Sequence, residues 1–176
     1  MNFRDPLWQP RQAGKVLLSL AQAADIVFVG LDEASRLWDT SDSAEVRTLI
    51  GPSPVLVVKD GAKGAVEYRN NAEVFCPSLQ ANVVEPTGAG DAFAAGWLAG
   101  ELGGMPALQR LRLGHLVAVS AMSSTADVAP LPSRLDLGKA LGLDDKQMGR
   151  WLLPGEANST RPDLATASRE EKEITV

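Results

Sequence analysis

The sequence is poor in cysteine, histidine and aromatic residues: it has one cysteine and one histidine among 176 residues, and aromatics make up 5%. The single cysteine, Cys76, cannot form an internal disulfide, and its apolar neighbours predict a buried thiol on a strand. No apolar run reaches the roughly 18 residues that a membrane span requires, and the first residues lack the apolar core of a signal peptide. These absences argue against a disulfide-stapled or membrane-bound protein, and we expect a cytoplasmic one.

Charge of one sign does not dominate any part of the chain. The 17 basic and 22 acidic residues are interspersed with a formal net charge of −5, which argues against nucleic acid as a partner. The hydrophobic content of 45% is ordinary for a protein with a packed core. We expect one folded domain over residues 1–153 and, because large apolar residues are scarce after it, a disordered polar tail over 154–176.

Hydrophobic periodicity predicts alternating helices and strands. Apolar residues at three- and four-residue spacing predict helices over residues 12–24, 32–38, 44–50, 91–102, 107–123 and 133–143. Short apolar runs predict strands over residues 26–29, 55–58, 65–68, 73–75 and 83–84, with a hairpin between the third and fourth. This order predicts an α/β sheet covered by helices on both faces, and Pro6 and Pro10 predict an irregular start.

The segment that carries chemistry is Thr87-Gly88-Ala89-Gly90-Asp91, between a predicted strand and a predicted helix. A helix N-terminus has unpaired N–H groups and a partial positive charge, so it attracts anions. Gly88, Ala89 and Gly90 leave the approach to these N–H groups free of large side chains. Asp91 would then lie beside a bound phosphate, where a carboxylate can accept the proton of an attacking hydroxyl.

Other glycine-rich phosphate motifs do not fit this spacing. The Walker loop requires a lysine directly after its last glycine, and Asp91 stands there. The dinucleotide fingerprint requires a glycine or alanine three residues after Gly90, where the chain has Phe93. A glycine turn that merely starts a packed helix remains the structural alternative.

The stretch from Val83 to Gly96 resembles the C-terminal signature of the PfkB, or ribokinase-like, family of sugar kinases. The resemblance implies a partial ribokinase-like three-layer α/β/α sandwich. It also implies that ATP binds, that the amides of Gly88, Ala89 and Gly90 form an anion hole, and that Asp91 is the base and touches the sugar. The resemblance runs over residues 2–143 and covers only the second half of the family, so we expect its N-terminal half and β lid to be missing.

Three further matches to the family concern the nucleotide. The Lys59–Gly64 segment corresponds to a Lys-x-Gly-x-x-Gly turn, which implies that Lys59, Gly61 and Gly64 lie near ATP. His115 occupies a helix position that is often asparagine beside the nucleotide base. Glu33 matches the acid that organises magnesium. A lone helical histidine and an acid at a helix start also have ordinary structural roles, so these alternatives stay open for His115 and Glu33.

The remaining matches concern a monovalent cation and the sugar. Glu85 and Thr87 correspond to positions that bind potassium in several relatives. The segment from Asn2 to Trp8 resembles the 2-keto-3-deoxygluconate kinase branch, which implies that Arg4 reaches an acid sugar. Asp127 falls where that branch has an aspartate near the substrate.

The resemblance therefore implies ATP-dependent phosphorylation of a small sugar or sugar acid, with magnesium and potassium as further cofactors. We expect the 176 residues to be inactive by themselves, and to form a homo-oligomer or pair with a separate N-terminal half. Two alternatives stay open: a non-catalytic remnant that binds nucleotide, and an interaction module that uses its sheet edge.

Overall fold

A computed structural model describes residues 8–80, 87–123 and 133–142. These ranges contain six helices and four strands, in the order α1 (Pro10–Ala23), β1 (Ile26–Gly30), α2 (Leu31–Trp38), α3 (Ser43–Ile50), β2 (Val55–Asp60), β3 (Gly64–Arg69), β4 (Ala72–Pro77), α4 (Ala89–Leu102), α5 (Ala107–Met122) and α6 (Arg134–Leu141). The predicted strand 83–84 and the predicted tail 154–176 lie outside the described residues. None of the helices in the described ranges is long and apolar enough to cross a membrane.

The four strands form one mixed sheet in the order β1-β2-β3-β4. β1 and β2 are parallel, whereas β3 and β4 complete an antiparallel meander after β2. The parallel register places Gly30 opposite Lys59. The carboxyl ends of β1 and β2 therefore meet at one edge of the sheet, where ligands of α/β proteins commonly bind.

A separate core lies on each face of the sheet. On one face, the strands pack against α1, α2 and α3 through Ala21, Val27, Val29, Ala34, Val46, Ile50, Leu56 and Val58. On the other face, they pack against α4 and α5 through Val57, Ala65, Cys76, Phe93, Trp97, Leu111 and Ala118. Successive strand residues point to opposite faces, so both Leu56 and Val57 are buried. This arrangement confirms the expected three-layer α/β/α fold.

Close contact between α4 and α5 fixes the direction of α4. A Cβ atom on Gly96 would lie 2.7 Å from the carbonyl oxygen of Leu113, and one on Gly114 would lie 3.0 Å from the Phe93 ring. Both glycines are therefore required by the approach of the two helices. The packing brings the N-terminus of α4 to the sheet edge at which β1 and β2 end.

A buried charge cluster joins β3 to the same two helices. Glu67 is 1% exposed and forms an ion pair with Arg110 of α5. Trp97 of α4 donates its indole N–H to Glu67 Oε2 at 2.9 Å, and the Arg110 guanidinium lies over the Trp97 ring. Periodicity does not predict this cluster, because Glu67 reads as the polar residue of an alternating strand.

The helix limits differ from the predicted ones by one or two residues at several ends, and two of these differences concern the site or a proline. The sequence predicts an irregular segment at Pro10, but α1 begins at this residue. Proline is tolerated there because the first residue of a helix does not need to donate a backbone N–H. α4 begins at Ala89, two residues before the predicted start. Asp91 is still in the first turn of α4, as expected. Trp8, at the start of the described chain, is 38% exposed.

Candidate active site

The N-terminus of α4 has the backbone that its glycines predict. Gly88 is the residue before the helix and has φ +82°, a left-handed conformation that strongly favours glycine. Gly88 has no side chain that could cap the helix, and a helix N-terminus leaves the N–H groups of its first turn without partners inside the helix. Asp91 is exposed in this first turn.

A cavity of about 900 Å³ lies between the ends of β1 and β2, the β2–β3 turn and helices α4 and α5. It brings together all but one of the residues predicted to bind nucleotide, namely Lys59, Gly61, Gly64, Ala89, Gly90 and His115. Gly88, the remaining one, lines the neighbouring cavity described below. We call this larger space the first cavity.

Two glycines at the β2–β3 turn, Gly61 and Gly64, line the first cavity and have positive φ angles. Gly61 has φ +50°, and the turn is closed by a hydrogen bond from the Lys63 N–H to the Asp60 carbonyl oxygen at 2.9 Å. Gly64 has φ +147°, and a Cβ atom there would lie 2.2 Å from the carbonyl oxygen of Cys76. Gly64 is therefore required by the approach of β4 as well as by its place on the cavity wall.

His115 is a buried, neutral group on the wall of the first cavity. It is 6% exposed and packs edge-on against Phe93, with ring centroids 5.1 Å apart. Burial lowers the pKa of His115 to about 4, although a hydrogen bond to the Cys76 backbone acts in the opposite direction. Within the described ranges Nε2 has no hydrogen-bond partner. The packing supports the structural alternative for His115, while its position also agrees with the predicted nucleotide contact.

A second cavity of about 760 Å³ lies beside Asp91. Its polar wall comes from the start of α4, with Thr87, Gly88, Gly90 and Asp91, and from Lys59. Its apolar wall comes from α1 and β1, with Leu17, Leu20, Ala21, Ile26 and Phe28 among its residues. The sequence predicts a helix over residues 12–24 and assigns no site residue to it. The spacing of apolar residues in α1 does not indicate that this helix lines a cavity, because that depends on how the helix packs beside β1.

Lys59 is a half-buried cation that interacts electrostatically with the carboxylates of Glu33 and Asp91. Burial lowers its pKa, and the carboxylates of Glu33 and Asp91 act in the opposite direction. Its Nζ lies 2.9 Å from the point that a Cβ atom on Gly90 would occupy. The site thus combines a lysine, a helix N-terminus and an aspartate, which is a suitable set for a phosphate group and a hydroxyl.

Two of the predicted metal ligands, Glu33 and Thr87, lie among the described residues. Glu33 Oε2 accepts a hydrogen bond of 3.4 Å from the Gly30 N–H, so Glu33 also caps α2. Thr87 is exposed and lines the second cavity. No group of three or more His, Cys, Asp or Glu side chains suited to a metal occurs within the described ranges. Magnesium commonly binds one or two carboxylates together with substrate phosphates and water, and Glu33 fits that pattern.

Three predicted site residues lie outside the described residues. They are the proposed sugar contacts Arg4 and Asp127 and the proposed potassium ligand Glu85.

The model of the pfkB family carbohydrate kinases matches residues 1–134. The chain belongs to the pfkB family. Among curated relatives, it is 31% identical over 137 residues to the 2-dehydro-3-deoxygluconokinase of Dickeya dadantii (strain 3937). That alignment covers 74% of this chain and 44% of the relative, so the chain spans less than half the length of this pfkB kinase.

Solved structures support the pfkB fold. A PfkB protein from Polaromonas sp. JS666 is 27% identical, with a TM-score of 0.62 over 78% of this chain and 44% of that one. A fructokinase from Vibrio cholerae O395, solved with fructose, ADP and calcium ion bound, has a TM-score of 0.66 at 23% identity. That match covers 79% of this chain and 48% of the fructokinase. The resemblance read from the Thr87–Asp91 motif is therefore confirmed for the family and the fold.

Proposed function

We propose that this chain provides the nucleotide-binding and catalytic portion of an ATP-dependent sugar kinase. The observation that carries the proposal is the position of the α4 N-terminus between two cavities. The first cavity has the predicted nucleotide residues on its wall, and the second has Asp91. A nucleotide in the first cavity and a sugar in the second would meet at this N-terminus.

The proposed reaction is an in-line transfer of the γ-phosphoryl group. The sugar hydroxyl oxygen forms a bond to the γ-phosphorus while the bond from that phosphorus to the β–γ bridging oxygen breaks. The hydroxyl proton passes to the Asp91 carboxylate, and ADP leaves with the electron pair of the broken bond. The N–H groups of Gly88, Ala89 and Gly90 stabilise the charge on the phosphoryl oxygens.

Two cations belong to the proposal. Bound magnesium neutralises phosphate charge, and Glu33 is the residue of this chain that would hold it, alongside the nucleotide phosphates. Potassium would bind Glu85 and Thr87, which supply hard oxygen ligands. Support for both comes from the family resemblance and from the chemistry of these donors.

The proposed sugar is 2-keto-3-deoxygluconate. Support comes from the similarity to the 2-dehydro-3-deoxygluconokinase of Dickeya dadantii and from the match of Arg4 and Asp127 to that branch. A guanidinium group can bind a carboxylate through two parallel hydrogen bonds, which suits an acid sugar. The fructokinase from Vibrio cholerae O395, which has the same fold, binds fructose, a neutral sugar, so a neutral sugar is the alternative substrate for this proposal.

The proposed partner is further polypeptide along β1, from the remainder of a pfkB kinase or from a second copy. In the described sheet, β1 has β2 as its single strand neighbour. Leu20 of α1, which lines the second cavity beside this edge, is 61% exposed. An unpaired strand edge next to exposed apolar side chains favours association with another segment.

Calorimetric titration of the 176-residue chain with ATP and magnesium tests the function. We expect saturable binding that ADP competes for and that inorganic phosphate at the same concentration does not abolish. A non-catalytic remnant would give the same binding but no turnover after the rest of the kinase fold is supplied. An interaction module would bind no nucleotide, and that result would refute the proposal.

A further inference from the structure

Lys59 lies where the two cavities meet. Among the described residues that line them, the two cavities share Lys59 and Gly90. Lys59 is the next-to-last residue of β2, and Gly90 is the second residue of α4. If nucleotide and sugar occupy different cavities, the phosphoryl group is transferred next to these two residues, which line both cavities.

Gly90 is a glycine for a different reason from Gly88. Gly88 has a positive φ, and no atom of the described residues lies within 4 Å of a Cβ atom built there, whereas Gly90 has ordinary helical backbone. Among the described residues, apart from chain neighbours and the backbone of α4 itself, Lys59 Nζ is the atom that lies within 4 Å of a Cβ atom built on Gly90, at 2.9 Å. Gly90 therefore makes room for the lysine ammonium group against the first turn of α4.

Two effects disfavour a cation here, and the carboxylates of Glu33 and Asp91 offset them only in part, since the pKa of Lys59 is still lowered. The N-terminus of a helix carries partial positive charge, so an ammonium group beside it is repelled. The ammonium group is also half-buried, and burial lowers the pKa of Lys59. A phosphoryl group that contacts both the Lys59 ammonium group and the α4 amides would be attracted by both and would offset their mutual repulsion.

We propose that Lys59 is a further catalytic residue, whose ammonium group holds the γ-phosphoryl group as it passes from the nucleotide cavity to the Asp91 cavity. The inference rests on the kinase function proposed above. Lys59 keeps its proton throughout and donates hydrogen bonds to the oxygens of the transferred group. The bonds that form and break, and the proton that Asp91 accepts, are those already given.

The test compares ATP with ADP, because ADP lacks the phosphoryl group that Lys59 is proposed to hold. Lys59→Met keeps the apolar part of the side chain and removes its charge. We expect it to weaken ATP binding by about tenfold or more and ADP binding by less than about twofold, both measured by calorimetry with magnesium. Lys63→Met is the matched control, since Lys63 lies in the same turn with its side chain 78% exposed. It should change neither affinity.

Gly90→Ala supplies an independent variant. Its methyl group would displace the ammonium group of Lys59, so it should reduce ATP affinity more than ADP affinity. Its effect should be smaller in a Lys59→Met background, because the displaced group is then absent. Thermal unfolding without nucleotide checks that both variants fold.

Two results would overturn the assignment of Lys59. They are an equal loss of ATP and ADP affinity in Lys59→Met, or no loss of either. If the unmodified chain binds neither nucleotide, the kinase function itself fails, and that outcome is distinct from the other two.

Discussion

At the scale of single residues, the sequence predicts which residues form the site, but it does not show which tertiary contact requires a particular residue type at each position. The Gly88-Ala89-Gly90 run predicts an open helix N-terminus, and the backbone at Gly88 agrees. The contact between Gly90 and Lys59 cannot be read from the chain, because it depends on the packing of α4 against the end of β2. Local conformation is visible in sequence, whereas a tertiary approach between residues 31 positions apart is not.

Asp91→Asn should separate binding from chemistry. The amide keeps the shape of the carboxylate but cannot accept a proton, so we expect sugar phosphorylation to fall by about 10²- to 10⁴-fold. ATP affinity should change little, because Asp91 is not a phosphate ligand in the proposed mechanism. The measurements are calorimetry and an ADP-coupled assay in an assembly that phosphorylates sugar. Asp25→Asn, an exposed residue before β1, is the control. Equal losses of affinity and turnover would indicate a structural role for Asp91.

His115 should make the stability of the chain fall on mild acidification. Its pKa is lowered from 6.5 to about 4 in the folded chain, so between these values the unfolded chain binds more protons. The free energy of unfolding should therefore decrease by about 1 kcal/mol as the pH falls from about 7.5 to about 5.5. Urea unfolding at both pH values measures it. His115→Asn should remove this part of the pH dependence, since the sequence has one histidine. An unchanged pH dependence would contradict the buried neutral state.

At the scale of helices and strands, the spacing of apolar residues predicts an element best where one face of that element is buried. All the predicted helices and strands within the described ranges are present, and their limits shift by one or two residues at several ends. The early start of α1 at Pro10 shows why ends are hard to predict, since proline prevents a helix interior but favours its first turn. The Glu67 cluster was not predictable, because alternation assigns a polar residue of a strand to solvent.

Arg110→Met should destabilise the chain by about 3 kcal/mol, because it leaves the Glu67 carboxylate buried without its closest cation. Arg69, whose Nε lies 3.5 Å from Glu67 Oε1, can compensate only in part. Lys63→Met breaks a surface ion pair with Asp60 and should cost less than about 1 kcal/mol. Urea unfolding compares the two.

A double variant distinguishes a coupled pair from independent packing losses. Glu67→Gln combined with Arg110→Met removes both charges, so its effect should be smaller than the sum of the single effects. Strict additivity would mean that the buried pair does not act as a unit.

At the scale of the whole molecule, the sequence predicted the family and the layers of the fold, while the placement of the site required the structure. The parallel register of β1 and β2 brings Gly30 opposite Lys59, and the contact of α4 with α5 brings Asp91 to the same edge. The division into two cavities with a shared wall results from this meeting of elements. The Thr87–Asp91 motif identifies Asp91, but it does not indicate that α1 and β1 form the opposite wall of the second cavity.

The 176-residue polypeptide by itself should bind ATP without phosphorylating sugar. All the proposed nucleotide residues except Gly88 line the first cavity, and all of them belong to this chain, so we expect nucleotide binding without a further segment. The cavity beside Asp91 is bounded by α1, β1, β2 and α4 in the described residues, and the chain spans 44% of its 2-dehydro-3-deoxygluconokinase relative. Correct orientation of the reacting groups can lower the activation free energy by about 7–11 kcal/mol. A sugar that contacts only the residues of this chain should be oriented less well, and its phosphorylation should be slower by several powers of ten. An ADP-coupled assay with ATP, magnesium, potassium and 2-keto-3-deoxygluconate measures it, with light scattering to record whether the chain associates through β1. Turnover at the rate of a complete sugar kinase, by a monomer, would show that these residues suffice for catalysis.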